Sequence, residues 1–133
     1  MSKNITIAVD AMGGDGSPKK IIDGIAHHNK NSEGIFYKIF GDKERILSNL
    51  PSGLSKDVYE IFDTKNNVKG TDTPLEAAKR GKDTSMWLAI ESVKNKEADA
   101  IISAGNTGAL LVIAKLNLKT VSYTHLTLPT TLV

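Results

Sequence analysis

Two stretches of the sequence decide the fold, and each is an apolar run that ends in a loop of small residues. Residues 5–16 read ITIAVDAMGGDG, and residues 100–110 read AIISAGNTGAL. A β-branched apolar run followed by glycines is typical of a buried strand that ends in a tight turn. We therefore predict strands over 5–9 and 100–103, each leading through a glycine-rich loop into a helix.

The segments between these two stretches repeat the same alternation of strand and helix. Residues 35–40 and 58–62 are further predicted strands, and apolar residues at helical spacing predict helices over about 18–28, 43–50, 74–78, 85–93 and 109–118. Four successive strand-loop-helix units with short connections predict an α/β fold with a mainly parallel sheet, because parallel neighbours require crossover connections.

Three helix starts carry capping signals. Ser17 followed by Pro18 predicts a serine cap with proline as the first helical residue. Asp42 is the predicted cap of the short second helix, and either Asp83 or Thr84 is the predicted cap of the helix after residue 84.

Composition excludes several functional classes. The chain has 133 residues, a formal net charge of +2, 5% aromatic residues and no cysteine. The small, dispersed charge argues against nucleic-acid binding, and the lack of cysteine excludes disulfides, thiolate nucleophiles and Cys-ligated zinc. No export signal precedes the first strand, and the longest apolar run, 109–114, is too short to span a membrane, so we predict a cytoplasmic location.

The two glycine-rich loops are the predicted ligand site. In open parallel sheets, ligands bind beyond the carboxyl ends of the strands, and loop amides leading into a helix can hold an anion. The alternative is that the glycines only permit tight turns. The known nucleotide patterns fail, since Lys19 stands where the dinucleotide fingerprint needs glycine and Asp83 follows Gly81-Lys82 where the P-loop needs Ser or Thr. A phosphate or phosphoryl ligand remains.

Charged residues near these loops have two interpretations each. Asp10 and Asp15 flank the first loop and could cap a loop amide or orient a catalytic group or a cation. Arg80 and Lys82 could attract an anionic substrate or belong to a solvated helix face. His27 and His28 point to different sides of a helix, so no metal site is predicted.

Three segments together resemble one enzyme family. Residues 7–15 (IAVDAMGGD), 82–86 (KDTSM) and 103–110 (SAGNTGAL) are similar, in order and spacing, to the bacterial phosphate acyltransferases of phospholipid synthesis. The similarity runs from about residue 3 to residue 118. The resemblance implies a Rossmann-like three-layer sandwich, of which this chain would form an incomplete N-terminal part.

The resemblance also implies a reaction and partners. A fatty acyl group would pass from acyl-[acyl carrier protein] to inorganic phosphate, without a cofactor or metal. The family members are homodimers attached peripherally to the inner face of the membrane. The alternatives are a phosphotransacetylase-like enzyme that uses acyl-CoA, and a noncatalytic module that binds a phosphometabolite.

The resemblance and the loop positions give a set of expected site residues. The expected catalytic residues are Asp10, Asp15, Asn106 and Thr107, and the expected substrate-binding residues are Gly13, Gly14, Lys82, Ser85, Ser103, Gly105 and Gly108. Loop amides and the side chains of Asn106 and Thr107 could donate to the phosphate or to the thioester oxyanion.

The last residues depart from this pattern. We predict that 1–120 form the N-terminal part of a phosphate acyltransferase domain and that 121–133, which carry no charge, are a non-family tail from read-through. The alternative is a divergent strand over 123–128, where β-formers occur. The chain by itself is predicted to be poorly soluble and inactive, because missing elements would leave apolar surface uncovered.

Overall fold

The computed structural model describes residues 4–118. The predicted boundary at residue 120 and the segment 121–133 lie outside the described residues. The elements are β1 (Ile5–Asp10), α1 (Lys19–Asn31), β2 (Ile35–Gly41), α2 (Lys43–Asn49), β3 (Tyr59–Asp63), α3 (Pro74–Lys79), α4 (Ser85–Lys94), β4 (Ala100–Ser103) and α5 (Thr107–Leu118), with a short 3-10 turn over Lys56–Val58.

The strands form an open parallel sheet, as predicted. Within the described residues the strand order is β3-β2-β1-β4, and each neighbouring pair is parallel. The chain adds β2 and β3 on one side of β1 and then crosses back to place β4 on the other side. The order of the strands therefore reverses between β1 and β4, and such a topological switch point is where open α/β sheets bind ligands.

Helices cover both faces of this sheet, so the fold has three layers. Alternate residues of a strand point to opposite faces. Val9 packs in one apolar cluster with Ile22 of α1, whereas its neighbour Ala8 packs in another cluster with Ala89 of α4. The side chains of β1 are buried on both faces toward its end, which explains why its sequence is apolar without alternation.

Two of the predicted helix caps are confirmed. The Asp42 side chain accepts a hydrogen bond from the amide of Glu44 at 3.2 Å. Of the two candidates for α4, Thr84 is the cap, because its hydroxyl accepts from the amide of Trp87 at 3.2 Å.

The predicted cap of α1 is wrong. Pro18 occupies the cap position of that helix and no side chain caps it. The Ser17 hydroxyl instead donates to the carbonyl of Gly13, so it closes the glycine-rich loop on itself. Ser17 is close in sequence both to the first amides of α1 and to the carbonyl of Gly13. In the compact loop its hydroxyl bonds to the carbonyl.

An apolar surface borders β4, which is an edge strand among the described residues. Ile102 is 53% exposed. It lies beside a groove of about 280 Å³ lined by residues of β1, β2, β4 and α1.

Within 4–118, no helix is long and apolar enough to cross a membrane.

Candidate functional site

The two glycine-rich loops touch each other at the switch point. A Cβ atom on Gly13 would lie 2.9 Å from the amide nitrogen of Gly105 and 2.8 Å from a carboxylate oxygen of Asp10. Gly14 has a φ of +91°, and a Cβ there would lie 2.8 Å from the carbonyl oxygen of Ala104. A side chain at position 13 would collide with Asp10 and Gly105, so glycine is required there. At position 14 a side chain would collide with Ala104, and the positive φ also favours glycine.

A buried carboxylate connects the three segments that carry the family resemblance. Asp10 is 2% exposed. One of its oxygens accepts from the hydroxyl of Ser85 at 2.6 Å and from the amide of Met12 at 3.2 Å, and the other accepts from the hydroxyl of Ser103 at 2.9 Å. A buried carboxylate needs such partners, and here they come from the β1–α1 loop, α4 and β4. Asp10 thus fixes the positions of both loops.

Beyond these contacts lies a polar cleft of about 480 Å³. Its walls are the β1–α1 loop, the β4–α5 loop and a third segment that follows β3, and its lining residues are Met12, Gly14, Asp15, Asn67, Val68, Lys69, Gly70, Ala104, Gly105 and Asn106. Four of the expected site residues therefore line one cleft: Gly14, Asp15, Gly105 and Asn106.

The Asn106 side chain is engaged at both of its ends. Its amide nitrogen donates to the carbonyls of Asp72 at 2.6 Å and Lys69 at 3.2 Å. Its carbonyl oxygen accepts from the amide of Ala109 at 3.1 Å, so Asn106 caps α5. This residue joins the second glycine loop to the third wall of the cleft.

The other expected residues lie around the cleft rather than in its lining. Thr107 is the exposed first residue of α5, and Gly108 packs against α3, where a Cβ would lie 3.1 Å from a ring carbon of Pro74. Lys82 is exposed in the turn before α4 and does not line the cleft.

Arg80 is committed to a carboxylate. Its guanidinium contacts both oxygens of Asp72, one of them through Nη2 at 2.7 Å. This hydrogen-bonded pair lowers the pKa of Asp72 to about 2. Asp72 therefore balances the charge of Arg80.

Sequence reasoning missed the third wall. The expected site residues include none from the segment after β3, yet Asn67, Lys69 and Gly70 line the cleft. The signal was present in the topology, because β3 is parallel to β1 and β4, and the loop after it emerges at the same edge of the sheet.

Among residues 4–118, no group of three His, Asp or Glu side chains is arranged to hold a metal ion.

The fold and the cleft define a class: an α/β protein with an open parallel sheet and a polar cleft at its topological switch point, where such sheets bind ligands. Comparison with known sequences places the chain more narrowly. It belongs to the family described as fatty acid synthesis protein, which matches residues 5–126.

Curated relatives agree with the predicted resemblance. The chain is 69% identical over 119 residues to the phosphate acyltransferase of Pelagibacter ubique, a match that covers 90% of this chain and 35% of that protein. It is 43% identical over 122 residues to the phosphate acyltransferase of Rhodospirillum rubrum, with 90% and 35% covered. For the phosphate acyltransferase of Streptococcus pyogenes the values are 43% over 107 residues, with 80% and 31% covered. The chain thus spans about a third of the length of these relatives.

Proposed function

We propose that this chain supplies the switch-point cleft of an enzyme that transfers a fatty acyl group from acyl-[acyl carrier protein] to inorganic phosphate. The observation that carries the proposal is the contact between Gly13 and Gly105, which brings two amide-rich loops together around one polar cleft. The names of the relatives support transfer of an acyl group to phosphate. The acyl-carrier substrate comes from the resemblance of the three motif segments.

The chemistry suits such a site. A phosphate oxygen attacks the thioester carbonyl, the carbon–sulfur bond breaks, and the thiolate of the carrier leaves as acyl phosphate forms. The protein must hold one anion, stabilise the developing oxyanion and align the two. The amides of Thr107 and Gly108 begin α5 directly after Asn106, and the first amides of a helix have no intrahelical acceptor. They are suitable donors to one of the two anions.

Within this proposal, we assign the expected catalytic residues different tasks. Asp15 lines the cleft, which supports a role in contacting substrate. Asp10 is buried behind the loops, so it acts by holding them in register. Asn106 lines the cleft, and its side-chain amide would have to leave two backbone carbonyls to reach an oxyanion.

The partners follow from the same proposal. We infer that the longer protein binds acyl carrier protein and phosphate, forms a homodimer, and acts in the cytoplasm at the inner face of the membrane. No nucleic acid and no cofactor take part in the proposed reaction.

The test uses a hybrid protein. Residues 1–118 of this chain replace the matching segment of the Pelagibacter ubique relative, whose 69% identity makes the junction compatible with folding. Acyl phosphate is trapped with hydroxylamine as the hydroxamate, using acyl-[acyl carrier protein] or acyl-CoA with phosphate. We expect product from the carrier substrate. Product from acyl-CoA alone would favour the phosphotransacetylase-like alternative. Phosphate binding without turnover would favour the noncatalytic module.

A further inference from the structure

One basic residue, Lys69, is among the residues that line the cleft within 4–118. Of the lining residues within 4–118, Lys69 is the cation and Asp15 the anion, and the others are neutral. Lys69 is exposed, in the wall that follows β3. The other two basic side chains considered from the sequence are placed differently, since Arg80 pairs with Asp72 and Lys82 does not line the cleft.

The backbone of Lys69 is held by the ion pair between Asp72 and Arg80. Asp72 is 9% exposed, and it accepts a hydrogen bond from the amide of Lys69 at 2.9 Å. The same carboxylate receives two donors from Arg80, at the end of α3. Planar, two-pronged pairs of this kind restrict geometry more than a single contact does.

The same segment is also fixed by Asn106. Its amide nitrogen holds the carbonyls of both Lys69 and Asp72, while its oxygen caps α5. The segment 69–72 is therefore held between α3 and the second glycine loop. The backbone of Lys69 is therefore held in place by hydrogen bonds to Asp72 and Asn106.

We propose that Lys69 binds the phosphate substrate in the cleft and that Asp72 and Arg80 are positioning residues that hold Lys69 there. This inference rests on the proposed function, because it assigns a residue to the anion that the reaction consumes. Arg80 contributes through geometry, since its own charge is balanced by Asp72.

The first test compares two exposed lysines. Lys69→Met removes the cleft charge, and Lys79→Met removes a charge of α3 that does not line the cleft. In the hybrid enzyme, we expect the KM for phosphate to rise about tenfold in Lys69→Met, as for one lost charge-assisted hydrogen bond, with little change in kcat. Lys79→Met should leave both constants unchanged. Calorimetric titration of both hybrid variants with inorganic phosphate provides a second measurement of the same difference.

The second test separates positioning from direct binding. Arg80→Met should also raise the KM for phosphate, and the double variant with Lys69→Met should be no worse than Lys69→Met alone, because Arg80 acts through Lys69. A merely structural role would lower the melting temperature and leave the KM unchanged.

The outcomes distinguish this inference from the proposed function. An unaltered hybrid that forms no acyl phosphate refutes the proposed function. An active hybrid whose KM for phosphate is the same in Lys69→Met and the parent overturns the assignment of Lys69. Additive effects of Lys69→Met and Arg80→Met overturn the positioning role of the ion pair.

Discussion

Replacing Gly13 by alanine tests the contact between the two loops most sharply. Gly13 does not have a positive φ, so an added methyl group acts by its volume alone. That methyl would lie 2.8 Å from an oxygen of Asp10 and 2.9 Å from the amide nitrogen of Gly105. Neither neighbour can retreat easily, because Ser103 holds both of them by hydrogen bonds.

The expected magnitude follows from this geometry. Adding one methyl group to a well-packed site costs about 1–3 kcal/mol of unfolding free energy. The matched control is Gly24→Ala in α1, where an added Cβ meets nothing within 4 Å. There the higher helix propensity of alanine should stabilise the protein by about 0.5–1 kcal/mol.

Urea unfolding of both variants measures the difference, and the phosphate KM of the hybrid reports on the site. We expect Gly13→Ala to destabilise the protein and to raise the KM, because the loops must move apart. Equal unfolding free energies for Gly13→Ala and Gly24→Ala, with an unchanged KM, would refute the contact.

Three further predictions concern the supports of the site. Ser85→Ala removes a hydrogen bond to the buried carboxylate of Asp10 and should cost about 1.5–3 kcal/mol in urea unfolding; no measurable cost would contradict the role of this bond. Thr84→Ala removes the cap of α4 and should cost about 1 kcal/mol, whereas Thr84→Ser should cost less; equal losses would argue against capping. The Asp72 carboxyl should titrate by NMR with a midpoint at about 2. The stability that its pair with Arg80 adds is therefore complete above the ordinary pKa and is lost as the pH falls toward 2. A midpoint at the ordinary value of about 3.9 would show that the pair does not form.

The sequence predicted the strands and helices, and the edge of the sheet at which the glycine loops lie, because these features depend on local patterns. The apolar run before Asp10 specifies a strand, and strands alternating with helices specify a parallel sheet. Since the carboxyl ends of parallel strands share one edge, the two glycine loops could be expected to meet there. Gly13 and Gly105 do meet.

The side-chain partners could not be predicted because they depend on tertiary distances. Ser85 reaches Asp10 across 75 positions of sequence, and Asn106 reaches the carbonyl of Asp72 across 34. No local pattern specifies such pairs. For the same reason, the sequence left Arg80 open as either a substrate-binding cation or part of a solvated helix face, and in the structure it pairs with Asp72.

We propose above that phosphate reacts in the cleft between the β1–α1 and β4–α5 loops. A crystal structure of the active hybrid, soaked with inorganic phosphate at its KM, tests this claim most directly. We expect phosphate within hydrogen-bond distance of the amides of Thr107 and Gly108 and of the Lys69 ammonium group. Phosphate bound at another place in an enzyme that still forms acyl phosphate would contradict it.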